Sequence, residues 1–257
     1  MNTSKKSTLF TSLMVVSMVI WGGSWVSAKS IANTLPSETL TFWRFFVNFI
    51  ALFPVLLLVK EPFKADRKAL AYTLTGSLFM GGYLYLFFKG LKYGFAGAAG
   101  VLVTTTVPLL TFVLSAVFYR HKFSARDLTG LVFGILGGSI LLGIWTLDMD
   151  KILISGNLYF LLAALLWALL TICSQQAGNT ISPIVFSFLA NAFCTLIAFF
   201  VALPYGIMGA FEQGAHFWLN IFYLAAISRR LCHDRLLFRL KHIKLTEGKL
   251  ICISGAV

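Results

Sequence analysis

The chain has 257 residues, of which 58% are hydrophobic, 15% aromatic and only 12% charged, and its mean hydropathy is +0.85. A soluble core cannot absorb that many apolar residues, so water is excluded as the main solvent. The net charge of +12 is spread over short Lys and Arg clusters between apolar runs and not along one basic face, which argues against nucleic acid as a partner.

A hydrocarbon core of about 30 Å takes about 20 apolar residues per helix. The first such run, Leu9 to Ala28, follows Lys5 and Lys6 in the manner of a signal peptide. Trp21, Gly22 and Gly23 lengthen it and no cleavage site follows, so it reads as a retained helix. Thr39 to Val59 carries Trp43 and Arg44 a turn inside its start, and Ala69 to Phe88 carries Tyr83 and Tyr85 and leads into Lys89. Ala98 to Tyr119 holds Thr104, Thr105 and Thr106 ahead of Pro108. Leu128 to Trp145 has Gly130, Gly134, Gly137 and Gly138 at a spacing that suits close helix packing. Leu158 to Ser174 contains Trp167, Pro183 to Leu203 follows, and Phe217 to Ile227 is a shortened eighth segment. Inside a bilayer each segment must satisfy its own backbone, and no period-two alternation of the barrel type is present. The expected fold class is an all-α integral membrane protein with about eight transmembrane segments.

Basic loops set the orientation. Lys5 and Lys6, then Lys60, Lys64, Arg67 and Lys68, then Arg120, Lys122 and Arg126 fall on alternate connections, while those between them are lighter in charge. The N-terminus is therefore expected in the cytoplasm.

Met14 to Ser30 can be laid on Phe160 to Gln176 with Trp21 over Trp167. Five spans separate the two starts, so the second copy enters the membrane in the opposite sense, as in the inverted repeats of many secondary transporters. The run Trp21, Gly22, Gly23, Ser24, Trp25 to Lys29 resembles the opening helix of EamA-like transporters, a family of the drug/metabolite transporter superfamily. Leu35 to Phe45, with its aromatic-Arg step at Trp43 and Arg44, is similar to that family's entry into helix 2. Leu91 to Leu142 resembles its Pro-containing helix 4, basic loop and Gly-rich helix 5. One departure is the loop after helix 4, where Arg120, His121 and Lys122 stand in place of the family's usual Glu. The resemblance covers about residues 9–228 and implies a helix bundle of ten helices in a 5+5 inverted repeat. Residues 9–145 would be the first repeat and 157–228 a truncated second one.

At Ser228 the apolar pattern stops. Arg229 to Val257 holds seven Lys or Arg against two Asp or Glu. Read one base later, with synonymous codons chosen freely, this tail can encode GDFATTAYFFASNISNSPKASSFAFLVP. That string looks like the family's helix 8 end, loop and helix 9 start, and its small-Ser-Ser-aromatic run toward Pro mirrors Ala98 to Pro108. Residues 229–257 are accordingly expected to be a non-homologous basic tail produced by a single-base frameshift.

Candidate site residues each have two readings. Trp21, Trp25 and Lys29 share one helix face. Lys29 is either a pathway contact or a cation snorkelling to the interface. Arg44 is a clamp for an anionic group or an anchor beside Trp43 in the aromatic belt. Lys89 and Lys92 could join Lys29 and Arg44 in a positive vestibule, or be solvated loop cations. Thr104 and Thr105 can face a substrate or satisfy the carbonyl that Pro108 frees. Tyr83 and Tyr85, with Trp21, Trp25 and Trp167, could line an apolar, cation-tolerant cavity or be packing residues.

Cys173, Cys194, Cys232 and Cys252 show no CxxC spacing, and His121, His216, His233 and His242 have no partner at metal or triad spacing. No phosphate loop, nucleophile elbow or paired catalytic carboxylates are visible. No cofactor, metal or enzymatic activity is expected. The resemblance implies a multi-pass secondary transporter of the bacterial inner membrane, an exporter of amino acids or similar small metabolites, whose partners are the bilayer, that substrate and, where it assembles, a second copy as a homodimer. No Asp or Glu lies within the apolar segments to carry a coupled proton. With helices 9 and 10 replaced, the chain as written is expected to be inactive, and the rival reading is a non-transporting membrane protein or helix-bundle interaction partner.

Overall fold

The computed structural model describes residues 3–59, 66–119, 125–142, 156–178 and 180–227, and every regular element among them is helical. Among the described residues eight α-helices follow one another: α1 (Thr3–Ile31), α2 (Ser37–Val59), α3 (Arg67–Tyr93), α4 (Ala96–Tyr119), α5 (Ala125–Leu142), α6 (Asn157–Ala177), α7 (Pro183–Ala202) and α8 (Ala215–Phe222). A π-turn, Tyr223–Ile227, extends α8. Each coincides with one of the eight apolar segments, because in a bilayer a helix is the only open-ended way to pair a backbone with itself. Among the described residues, the stretches Ala96–Phe118, Asn157–Ala177 and Pro183–Tyr205 are each long and apolar enough to cross a membrane unaided. The protein is an all-helical, multi-pass membrane bundle. Trp145, Asp148, Asp150 and Lys151, the basic residues Lys60, Lys64, Arg120 and Lys122, and the whole of 229–257 lie outside the described residues.

The packing interleaves the two halves. α3 runs along α6, α2 packs on α7, α4 on α6, and α1 on α4 and α8. If α1, α2 and α3 correspond to α6, α7 and α8, exchanging the halves turns the α3–α6 pair into α8–α1 and returns α2–α7 to itself. These two pairings are the ones an inverted repeat would produce. The ends of α1 and α3 meet the starts of α8 and α6: Ser27 Oγ donates to Asn220 Oδ1 at 2.6 Å, and Gly90 lies against Phe160. Both of these pairs are therefore antiparallel.

Two glycines set how closely helices approach. A Cβ on Gly23 would stand 2.6 Å from the Tyr223 hydroxyl, which donates to the Ile20 carbonyl at 2.7 Å and so pins the end of α8 onto α1. Gly23→Ala is expected to destabilise by about 1 kcal/mol, the worth of that hydrogen bond, since the intruding methyl meets the flexible end of the side chain. In a Tyr223→Phe background the same substitution should cost almost nothing further, and detergent unfolding of the four proteins of the cycle measures the difference.

The glycine stripe of α5 behaves otherwise than its spacing suggests. A Cβ at Gly130, Gly134 or Gly137 would meet nothing, and only Gly138 is approached, by Thr105 of α4 at 3.0 Å. Among these four glycines, close approach is thus confined to Gly138, against α4.

Candidate functional site

Four of the aromatic residues singled out in the sequence come together at the seam between the halves. The Trp21 and Trp25 rings of α1 lie 6.0 Å apart, and Trp25 meets Phe87 of α3 edge-on at 5.2 Å. Phe87 stacks with Tyr83 at 5.9 Å, and Tyr83 meets Trp167 of α6 edge-on at 4.3 Å. The Trp21–Trp25 and Trp25–Phe87 spacings fall in the range where ring quadrupoles favour edge-on pairs, and Tyr83 and Trp167 approach still more closely. The helical repeat explains the order, because residues four apart on α1 (Trp21, Trp25) and on α3 (Tyr83, Phe87) stand one above the other. Gly100 of α4 leaves room for the Trp25 indole, whose nearest atom is 3.7 Å from where a Cβ would be. The result is a continuous row of aromatic faces running from the first half into the second.

At the end of the bundle where α1 and α3 finish, three of the four expected cations, Lys29, Arg44 and Lys89, engage the protein. The Lys29 ammonium donates to the Leu91 carbonyl near the C-terminus of α3, where unpaired carbonyls and the helix dipole both favour a cation. Lys89 donates to the Tyr85 hydroxyl at 3.0 Å and lies over the Tyr85 and Tyr159 rings at 5.3 and 5.8 Å. Arg44 lies 5.9 Å from the centre of the fully buried Phe88 ring. Trp43 is itself buried, and its indole N–H donates to the Ile207 carbonyl at 3.1 Å, so it braces the bundle from within.

The threonine cluster goes elsewhere. Thr104 donates to Gly100 O at 2.6 Å and Thr105 to Val101 O at 2.7 Å, each one turn back along α4. Neither hydroxyl reaches the Thr104 carbonyl, the one that Pro108 frees, and Thr105 meets α5 at Gly138. Thr104 and Pro108 are exposed on the bundle surface.

Three participants were not among the expected site residues. Phe87 completes the aromatic row and was legible from its i+4 spacing to Tyr83. Asn48 of α2 and Asn191 of α7 form a buried amide pair, Nδ2 of Asn48 donating to Oδ1 of Asn191 at 2.7 Å. Each is an isolated carboxamide within an apolar span, a signal that could have found them.

The family model described as the EamA-like transporter family matches residues 9–143 and 154–246. Among curated relatives in Bacillus subtilis (strain 168), "Uncharacterized transporter YoaV" is 28% identical over 61% of this chain and 54% of its own length. "Uncharacterized transporter YetK" is 25% identical over 77% of this chain and 59% of its own length, and "Uncharacterized transporter YyaM" is 22% identical over 80% and 72%. The chain thus spans little more than half the length of the first two. A solved structure described only as a crystal structure of a protein, 18% identical, superposes with a TM-score of 0.58 over 96% of this chain and 92% of its own, a likeness of fold.

Proposed function

The chain belongs to the EamA-like transporter family, and on that premise we propose that it is a secondary carrier of a bacterial inner membrane that exports amino acids or related small metabolites. Its N-terminus faces the cytoplasm, and transport proceeds by rocking one half of the inverted repeat against the other. The observation that supports this reading is the aromatic row Trp21, Trp25, Phe87, Tyr83 and Trp167, which crosses the seam where such motion opens and closes a path. Flat apolar faces with lysines held at one end suit a zwitterion that has a carboxylate and an apolar body.

Efflux of labelled amino acids from vesicles containing the protein with its reading frame restored after Ser228 tests the proposal. Trp167→Leu is expected to raise KM about tenfold, equivalent to about 1.4 kcal/mol of lost ring contact, while leaving the amount of folded protein unchanged. An unchanged KM on a transported substrate removes the aromatic row from the path, and efflux no faster than from empty vesicles removes the carrier reading for this chain.

The tail is part of the same proposal. Residues 229–257 replace family sequence through a one-base shift near the codon for Arg229, and the uninterrupted frame encodes the carrier's last helices. The break in the apolar pattern at Ser228 supports this reading, whereas the family match itself runs on to residue 246 and weighs against it. Resequencing the gene across the codons for Ser228 to Leu231 decides the matter. If no downstream frame encodes further apolar helices, the shift did not occur, and the non-transporting reading gains.

A further inference from the structure

Between α7 and α8 the chain forms two short 3₁₀ turns, Leu203–Tyr205 and Ile207–Glu212, joined by Gly206 at φ +80°. A 3₁₀ helix has three residues per turn, so every third residue shares a face. One face, Ile207 and Ala210, is buried against the bundle. The other, Met208 and Phe211, is 73% and 63% exposed, and Tyr205, before the Gly206 bend, is 51% exposed. Both faces are therefore apolar, and Glu212 is the one charged residue in these turns.

The inward face is fastened at a defined depth. Trp43 donates its indole N–H to the Ile207 carbonyl at 3.1 Å, and its ring meets Phe211 at 5.3 Å and Trp218 at 5.1 Å, both edge-on. A Cβ on Gly209 would lie 3.6 Å from Leu35 Cδ2, so the segment also leans on the connection between α1 and α2. The outward face continues without a polar break from the exposed flank of α7, where Phe200, Val201 and Leu203 belong to a membrane-length apolar stretch that itself runs on to Tyr205.

We propose that residues 203–212 form a strap lying in the headgroup and upper acyl zone of the bilayer, with Met208 and Phe211 among the lipid chains. Continuity with the apolar flank of α7 identifies the covering material as lipid. The depth follows from the backbone: the turns close with long hydrogen bonds, Gly206 N–H to Leu203 O at 3.4 Å and Gln213 N–H to Ala210 O at 3.3 Å. Such a segment needs water or headgroups close by and cannot sink into the hydrocarbon core. Tyr205 and Trp218 are the residue types that settle at this level of a membrane. Through Trp43, the strap ties the bilayer surface to the start of α2 beside Arg44.

The test uses the full wild-type chain in lipid nanodiscs, both faces of which are open to aqueous reagent. The rate of Met208 sulfoxide formation by added chloramine-T is read by peptide mass spectrometry and compared with that of the urea-unfolded chain. A parallel sample contains a phospholipid with a photoreactive diazirine in its upper acyl chain. Oxidation at least about tenfold slower than in the unfolded chain, with lipid adducts on the 203–212 peptide, is the expected result for side chains held below the headgroups. Oxidation at the rate of the unfolded chain overturns the proposal and puts the strap in water. Protection without lipid adducts, lost when each disc holds a single protein, also overturns it and assigns the face to a second copy.

Discussion

Gly156→Ala is expected to destabilise the bundle by about 2–4 kcal/mol, a larger loss than any substitution on its exposed flanks. Gly156 caps the start of α6 at φ +78°, where an L side chain costs about 1–2 kcal/mol. A Cβ there would also stand 2.5 Å from the Gly90 carbonyl oxygen and 3.1 Å from the Gly94 nitrogen of α3. Both are backbone atoms that no rotamer change can move, and forcing helices apart in a packed interior adds about 1–3 kcal/mol. Gly206 serves as a comparison, since its φ is also positive, +80°, though its ψ is 85° against −3° at Gly156, and no atom lies within 4 Å of its would-be Cβ. Gly206→Ala should therefore cost only the conformational part, about 1–2 kcal/mol. Unfolding by denaturant in detergent micelles, followed by tryptophan fluorescence, measures both, and equal losses would show that the α3–α6 contact yields where it is described as rigid.

That contact also shows what could and could not be read from the sequence. The helices were legible because the apolar runs, the shortened last one apart, have the length a bilayer demands. The pairing of helices was not. Nothing in the sequence separates Gly90, whose would-be Cβ collides with Phe160, from Gly134, whose would-be Cβ meets nothing, because the difference lies in which neighbour arrives from a distant part of the chain. The same limit applied to the cations. Lys29 was correctly placed near a helix end, but its partner, the Leu91 carbonyl, is a backbone atom with no sequence signature. The aromatic row was half legible, since spacing within a helix stacks Trp21 on Trp25 and Tyr83 on Phe87, while the step from Tyr83 to Trp167 depends on tertiary packing.

The second large effect lies on the pair of helices that the two-fold exchange returns to itself. Asn48 of α2 and Asn191 of α7 are 5% and 0% exposed, and Asn191 also donates from Nδ2 to the Ser187 carbonyl at 2.7 Å. Beside them Cys194 donates its thiol to the Ser77 carbonyl of α3 at 3.1 Å, so the second half is fastened to the first by side-chain hydrogen bonds at two neighbouring points. Asn48→Leu removes the donor to Asn191 Oδ1 and leaves a carboxamide oxygen in an apolar interior without it, a loss expected to be about 1–3 kcal/mol. Adding Asn191→Leu removes that oxygen as well, so the double variant should be no less stable than the single. If the pair only holds the halves together, transport should fall in proportion to folded protein. If it sets the register about which they rock, the double variant should fold and bind substrate with an unchanged KM yet turn over more slowly, because two leucines can slide where two carboxamides cannot. Unfolding free energies and the separate effects on kcat and KM distinguish the cases. A double variant that is less stable than Asn48→Leu by the full cost of a second orphaned group would show that the two amides are not partners.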